Sequence, residues 1–158
     1  KLINQTVKAH QDQARLRNIS FNIELEEDID IVVDASAFSI ILSNFVTNAL
    51  KHSPSNSEIL IKNDLEDDFL TTLSVIDHGK GIPKKYRDRV FERFFRVDKG
   101  RAKHSGGTGL GLAISKHLAR LMGYEVGMKP NKPNGSRFWI SVNYASSEEE
   151  KSLTPELA

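Results

Sequence analysis

Four glycines crowd into six positions at Gly106-Gly107-Thr108-Gly109-Leu110-Gly111, and the apolar run from Leu112 to Met122 follows at once. Glycine lets a backbone turn tightly and brings its N–H groups close to a ligand. A helix opening at such a run points unpaired N–H groups and a positive dipole end at whatever anion lies before it. The stretch therefore reads as a phosphate cradle, with a flexible loop before an ordinary helix as the competing reading. It is not a P-loop, because no G-x-x-x-x-G-K-[ST] occurs in the chain. It is not the dinucleotide fingerprint either, since G-x-G-x-x-G fails at every register.

The rest of the chain limits what such a cradle can serve. Its 158 residues suit one domain with a sizeable core. With 22 basic against 21 acidic residues, it lacks the basic surplus of a nucleic-acid binder. Cysteine is absent, which excludes disulfides and thiolate zinc sites and fits a reducing cytoplasm. No apolar run approaches the ~20 residues of a membrane span, and no signal peptide opens the sequence.

Residues 1–17 read as the end of a helix leading in from an upstream domain. Ser20 to Leu25 alternates apolar and polar residues as a strand does, and Ile29 to Val33 is a short second strand. Ser36 to His52 carries Phe38, Ile41, Leu42, Phe45 and Ala49 at helical spacing and is stopped by Pro54. Glu58–Leu65 and Leu70–Asp77 form a hairpin across an acidic turn, and a short charged helix is expected near Lys84 to Arg89. After the glycine run come a helix and two strands, near Tyr124–Met128 and Ser136–Val142, joined by a turn rich in proline. Helices and strands do not alternate as βαβ units. The expected fold is an α+β two-layer sandwich, a mixed sheet of about five strands with helices packed on one face. The tail, 144–158, is acidic and expected to fray.

Three further elements carry chemistry. Opposite the apolar stripe of the helix at Ser36–His52 lie Asn44, Asn48, Lys51 and His52, within about a quarter turn of one another. An amide oxygen ligates a hard cation such as Mg²⁺, and a lysine one turn on neutralises phosphate. Asparagine is a poor mid-helix residue, so two of them on one face point to more than a solvated surface. Second, Asp77-His78-Gly79-Lys80-Gly81-Ile82 follows directly on an apolar strand. A carboxylate there can accept from an exocyclic amine such as adenine N6, although a plain Asp-Gly turn would read the same way. Third, Phe91-Glu92-Arg93-Phe94-Phe95-Arg96 precedes the basic stretch holding Lys99, Arg101, Lys103 and His104. A cationic segment hinged on glycines suits a lid over a polyphosphate.

In this order the elements resemble the catalytic and ATP-binding domain of bacterial two-component sensor histidine kinases, within the superfamily shared with gyrase, Hsp90 and MutL. Asn44 to Ser53 resembles the N box, Asp77 to Ile82 the G1 box, Phe91 to Arg96 the F box and Gly107 to Leu112 the G2 box. The resemblance covers roughly Leu2 to Val142 and implies a Bergerat-type ATP-binding fold over 18–143 with a mobile ATP lid over about Val97 to Gly106. It implies that Asn48 coordinates Mg²⁺ with help from Asn44, and that Lys51 and His52 contact phosphate or ribose. It implies that Asp77 binds adenine in a pocket shaped by Gly79, Gly81 and Ile82, and that Arg96 reaches the γ-phosphate. Gly107, Thr108, Gly109, Leu110, Gly111 and Leu112 would cradle the phosphates. The implied cofactors are ATP and Mg²⁺, with Asn48 and Arg96 the residues closest to the chemistry.

Two departures from the family pattern matter. The late Gly-Gly pair is replaced by Gly123-Tyr124, leaving Gly135-Ser136-x-Phe138 as the regular part of that box. None of His10, His52, His78, His104 and His117 has the context of a phosphoacceptor. The implied partners are therefore a dimerisation and phosphoacceptor helical domain of the same protein and a downstream response regulator. The fragment is expected to be monomeric and cytoplasmic, the parent a homodimeric membrane sensor. An ATPase or ATP-driven clamp of the same fold is the alternative. Such relatives carry a glutamate where Asn44 stands, and an amide cannot act as a general base. A degenerate docking module, the third class, is at odds with the intact Asn48, Asp77 and glycines.

Overall fold

The computed structural model describes residues 1–26, 29–97 and 107–146. Three helices, α1 (Leu2–Arg15), α2 (Ala35–His52) and α3 (Gly111–Leu121), accompany six strands, β1 (Ser20–Glu24), β2 (Ile29–Ile31), β3 (Glu58–Leu65), β4 (Leu70–Ile76), β5 (Glu125–Pro130) and β6 (Ser136–Ser146). A short 3-10 turn, Lys84–Tyr86, lies between β4 and α3.

The central helix starts and stops where its sequence directs. Asp34 caps α2 by accepting from the Ala37 N–H at 2.7 Å. Phe38, Ile41, Leu42, Phe45, Val46, Ala49 and Leu50 are buried along its inner stripe. Ser53 leaves the helix with extended backbone (ψ 140°), as the residue before Pro54 must. Helix α1 packs on α2 through the buried Thr6, Val7 and Ala14. Beyond its end, the Arg17 guanidinium donates to the Leu50 and Ser53 carbonyls and caps α2. Gly123 (φ +80°) ends α3, with the Tyr124 N–H returning to the Ala119 carbonyl at 2.8 Å.

The six strands form one mixed sheet in the order β1-β3-β4-β6-β2, with β5 also paired to β6. β1 runs parallel to β3 and all other pairs are antiparallel. β6 pairs with β4 along 137–143, with β5 along 136–141 and with β2 along 144–146. Alternate residues of the inner strands, Ile59, Ile61, Leu73, Val75, Phe138, Ile140 and Val142, are buried in one core with the helices. Phe45 meets Phe138 there at 5.8 Å between ring centroids. The opposite sheet face is charged. Asp64 takes Lys62 Nζ at 2.8 Å and Arg137 Nη2 at 2.6 Å, and Arg137 Nε donates to Ser74. Partial burial alone would raise the Asp64 carboxyl, but those two bonds outweigh it and hold it below its ordinary range.

The expected two-layer α+β arrangement is therefore present, with six strands rather than about five. The charged helix expected near Lys84 to Arg89 is reduced to three 3-10 residues followed by turns. β6 continues through Ala145 and Ser146, where the composition suggested a fraying tail. Pairing with the three-residue β2 supplies the backbone partners that the side chains there do not advertise. The remainder of the tail and residues 98–106 of the lid lie outside the described residues. No helix among the described residues is long and apolar enough to cross a membrane.

Candidate functional site

One face of α2 organises the site. Asn44, Asn48 and His52 recur one turn apart, so they line one side of the helix over about 12 Å. The first and last are each met by a glycine segment from elsewhere in the chain. Asn44 Nδ2 donates to the Gly111 carbonyl at 2.9 Å and lies 3.1 Å from Ser115 Oγ, joining α2 to the start of α3. At the other end, a Cβ added to Gly79 would stand 2.4 Å from the His52 carbonyl oxygen. Only a residue without a side chain lets that loop pack so closely on the end of α2. The half-buried Asn48 lies between the two contacts. Lys51 and His52 are exposed on the last turn.

Asp77 follows β4 and is buried, with 1% of its surface exposed. Its Oδ1 accepts from the Gly79 N–H at 2.8 Å and from the Ser136 N–H at 3.3 Å. Desolvation pushes its carboxyl above the ordinary aspartate range, while the two N–H donors and the neighbouring His78 pull it back. A buried carboxylate held this way is costly unless something else accounts for it, which makes it a candidate functional residue. Asp77 is also pinned through its backbone, its N–H donating to the Ser136 carbonyl at 2.9 Å. Gly135 (φ +114°) makes that approach possible, since a Cβ there would lie 1.8 Å from the Asp77 carbonyl oxygen. Gly81 (φ +76°) turns the loop beside Gly135, and the half-buried Ile82 packs against the core.

The segment Phe91 to Arg96 is anchored by aromatics. Phe91 meets Phe138 edge-on at 6.2 Å, and Phe95 meets Tyr86 at 5.6 Å with the Arg89 guanidinium 4.6 Å from its ring centre. Phe94 is different, being 71% exposed with φ +62°. Its N–H donates to the Gly109 carbonyl at 2.9 Å, and Gly109 (φ +72°) sits so close to the Phe94 backbone that an added Cβ would stand 3.0 Å from it. This segment and the glycine run, separate in sequence, are thus bonded together. Arg96, half-buried, follows directly. Gly107 and Thr108 are exposed, and Leu110 precedes an α3 whose N-terminus no side chain caps, which leaves its first N–H groups to an outside acceptor. Leu112 is half-buried against the core.

The described residues singled out for the nucleotide site fall into three places, the α2 face, the loop after β4, and the Phe94–Gly109 seam at the start of α3, while Lys99, Arg101, Lys103 and His104 lie outside the described residues. Asn44 differs from expectation in one respect, because its amide N–H groups serve α3. Sequence reasoning missed Ser115 and Asn131 and did not see that Gly135 and Ser136 hold Asp77. The regular Gly135-Ser136-x-Phe138 pattern was the available signal for the latter two.

Residues 33–146 match the family described as histidine kinase-, DNA gyrase B-, and HSP90-like ATPase. The chain is 36% identical over 126 residues to the sensor histidine kinase WalK of Bacillus subtilis, covering 79% of this chain and 21% of that protein. It thus spans about a fifth of that relative's length. Among solved structures it resembles full-length ShkA in complex with AMPPNP, with TM-score 0.79 and 29% identity over 92% of this chain and 30% of that one. It also resembles the histidine kinase ThkA in complex with the response regulator protein TrrA, with TM-score 0.73 and 25% identity over 90% of this chain and 39% of that one.

Proposed function

The chain belongs to the histidine kinase-, DNA gyrase B- and HSP90-like ATPase family, and from that footing we propose that it binds Mg-ATP as the catalytic domain of a sensor histidine kinase. The observation that carries this reading is the docking of both glycine segments on one face of α2, through Gly79 on His52 and Gly111 on Asn44, with Asn48 between them. Adenine would donate its amine to Asp77, whose loop closes one end of the face. Phosphates would meet the uncapped start of α3 at the other, beside Thr108 and Arg96. Among the described residues no cluster of His, Asp or Glu is large enough to hold a metal by itself. A cation here would rest on the Asn48 amide oxygen and on the phosphates it accompanies, the arrangement Mg²⁺ favours. When bound, Mg²⁺ would supply charge neutralisation to the phosphates.

The γ-phosphoryl would pass to a histidine on a helical domain of the same protein, and from there to a response regulator; ThkA in complex with TrrA is the structural precedent for the second partner. An ATPase would need a general base on α2, and the position one turn before Asn48 is an amide already engaged with α3. The parent would be a homodimeric membrane sensor whose catalytic domain faces the cytoplasm. Calorimetry of Asn48→Ala against Mg-ATP tests the metal assignment. The variant should lose at least tenfold in Mg-dependent affinity while binding metal-free nucleotide as the wild type does. Unchanged Mg-dependent affinity refutes the role of Asn48.

A further inference from the structure

The turn between β5 and β6 holds a residue that neither the motifs nor the family match distinguishes. Asn131 is half-buried, and its side-chain Nδ2 lies 3.2 Å from the Asp77 carbonyl oxygen, 3.3 Å from the Asn134 carbonyl oxygen and 3.4 Å from His78 Nδ1. Two carbonyl oxygens around one amide group fix its orientation, since a flipped amide would set oxygen against oxygen. Its own backbone N–H donates to the Gly135 carbonyl at 3.0 Å, closing the turn that presents Gly135 and Ser136 to Asp77. Asp77 is therefore gripped from one side at two levels. Ser136 bonds its carboxylate and backbone, and Asn131 bonds its carbonyl.

We infer that Asn131 is a positioning residue for Asp77, fixing the carboxylate at the angle that selects a 6-amino purine. The inference rests on the proposed nucleotide site. The carboxylate has little freedom of its own, because Oδ1 is taken up by Gly79 and Ser136, so its aim is set by the backbone that Asn131 holds. An adenine amine donates to that carboxylate, whereas the 6-oxo group of inosine presents an acceptor to it. Loss of the Asn131 donors should consequently lower the preference for ATP over ITP rather than affinity for both.

The test measures Kd for Mg-ATP and Mg-ITP by calorimetry on the 158-residue chain, its Asn131→Ala variant and its Asn131→Asp variant, with thermal melts of each. Asn131→Asp keeps the shape and removes the donors. The wild type should prefer ATP, and both variants should lose about five- to tenfold of that preference, the size expected for one hydrogen bond. A preference intact in both variants, or retained in Asn131→Asp, overturns the inference, as does a melting shift with equal losses for both nucleotides. A wild type that binds the two equally refutes the adenine site itself, and the inference with it.

Discussion

Asp77 shows how a single residue can be unfavourable for the fold and useful to the site. Its carboxylate is desolvated by burial and only partly compensated by the Gly79 and Ser136 N–H groups, so its folded-state pKa lies above the ordinary value. For a group raised in this way, the contribution to stability is present below the unfolded-state pKa and is lost as pH rises through the folded-state value. Replacing Asp77 with Asn keeps an oxygen for both N–H donors and removes the buried charge. Asp77→Asn should therefore gain stability relative to the wild type as the pH of a denaturant titration moves from acid to neutral. Its affinity for Mg-ATP should fall by about 10- to 100-fold, the range for a hydrogen bond to a charged group. Calorimetry at neutral pH checks the second effect, and equal affinity would remove Asp77 from the adenine site.

Among elements, the seam between α2 and α3 links the Asn48 face of α2 to the glycine run. Asn44 bridges it through Gly111 and Ser115, and Ser115 Oγ donates in turn to the Gly111 carbonyl at 2.9 Å. Asn44→Ala should cost about 1 kcal/mol of global stability, because Ser115 keeps the Gly111 carbonyl satisfied. The first turn of α3 should nevertheless open more often, which hydrogen exchange of the amides at 114–116, the first with intrahelical acceptors, would register as lost protection. Protection unchanged at 114–116 would show that apolar packing alone holds the two helices together. The Phe94–Gly109 bond is a second such seam, joining the segment that ends at Arg96 to the glycine run although Phe94 and Gly109 lie fifteen positions apart in the chain.

For the molecule as a whole, a ligand that spans the loop after β4, the α2 face and the start of α3 would hold together segments that otherwise meet through few bonds. Binding to the folded state alone raises stability by about 2.7 kcal/mol at a hundredfold excess over Kd. For a domain of this size that corresponds to roughly 5–10 °C in Tm. A thermal melt should show that rise with Mg-ATP, and none with Mg²⁺ alone, because the described residues hold no cluster of His, Asp or Glu able to bind a metal by itself. A melt unmoved by Mg-ATP would contradict the proposed function.

How much of this was legible beforehand differs with the kind of signal. The apolar spacing of Phe38, Ile41, Leu42 and Phe45, the stop at Pro54, the strand alternation and the glycine boxes are local patterns, and local patterns survive in one dimension. The extension of β6 to Ser146 was not visible, because residues 144–146 gain their strand identity only from pairing with the three-residue β2. The grip of Gly135, Ser136 and Asn131 on Asp77 was hidden for the same reason. Each of those contacts joins residues more than fifty positions apart, at distances that only the closed sheet sets. The amino-acid sequence alone thus determined where the long helices and the strands lie, though not that Lys84 to Arg89 shortens to a 3-10 turn, and which residue types are available to a nucleotide site. The tertiary structure alone decided which of them meet. A side chain's chemistry is carried by its residue, whereas the direction in which it points is fixed by packing against parts of the chain far from it.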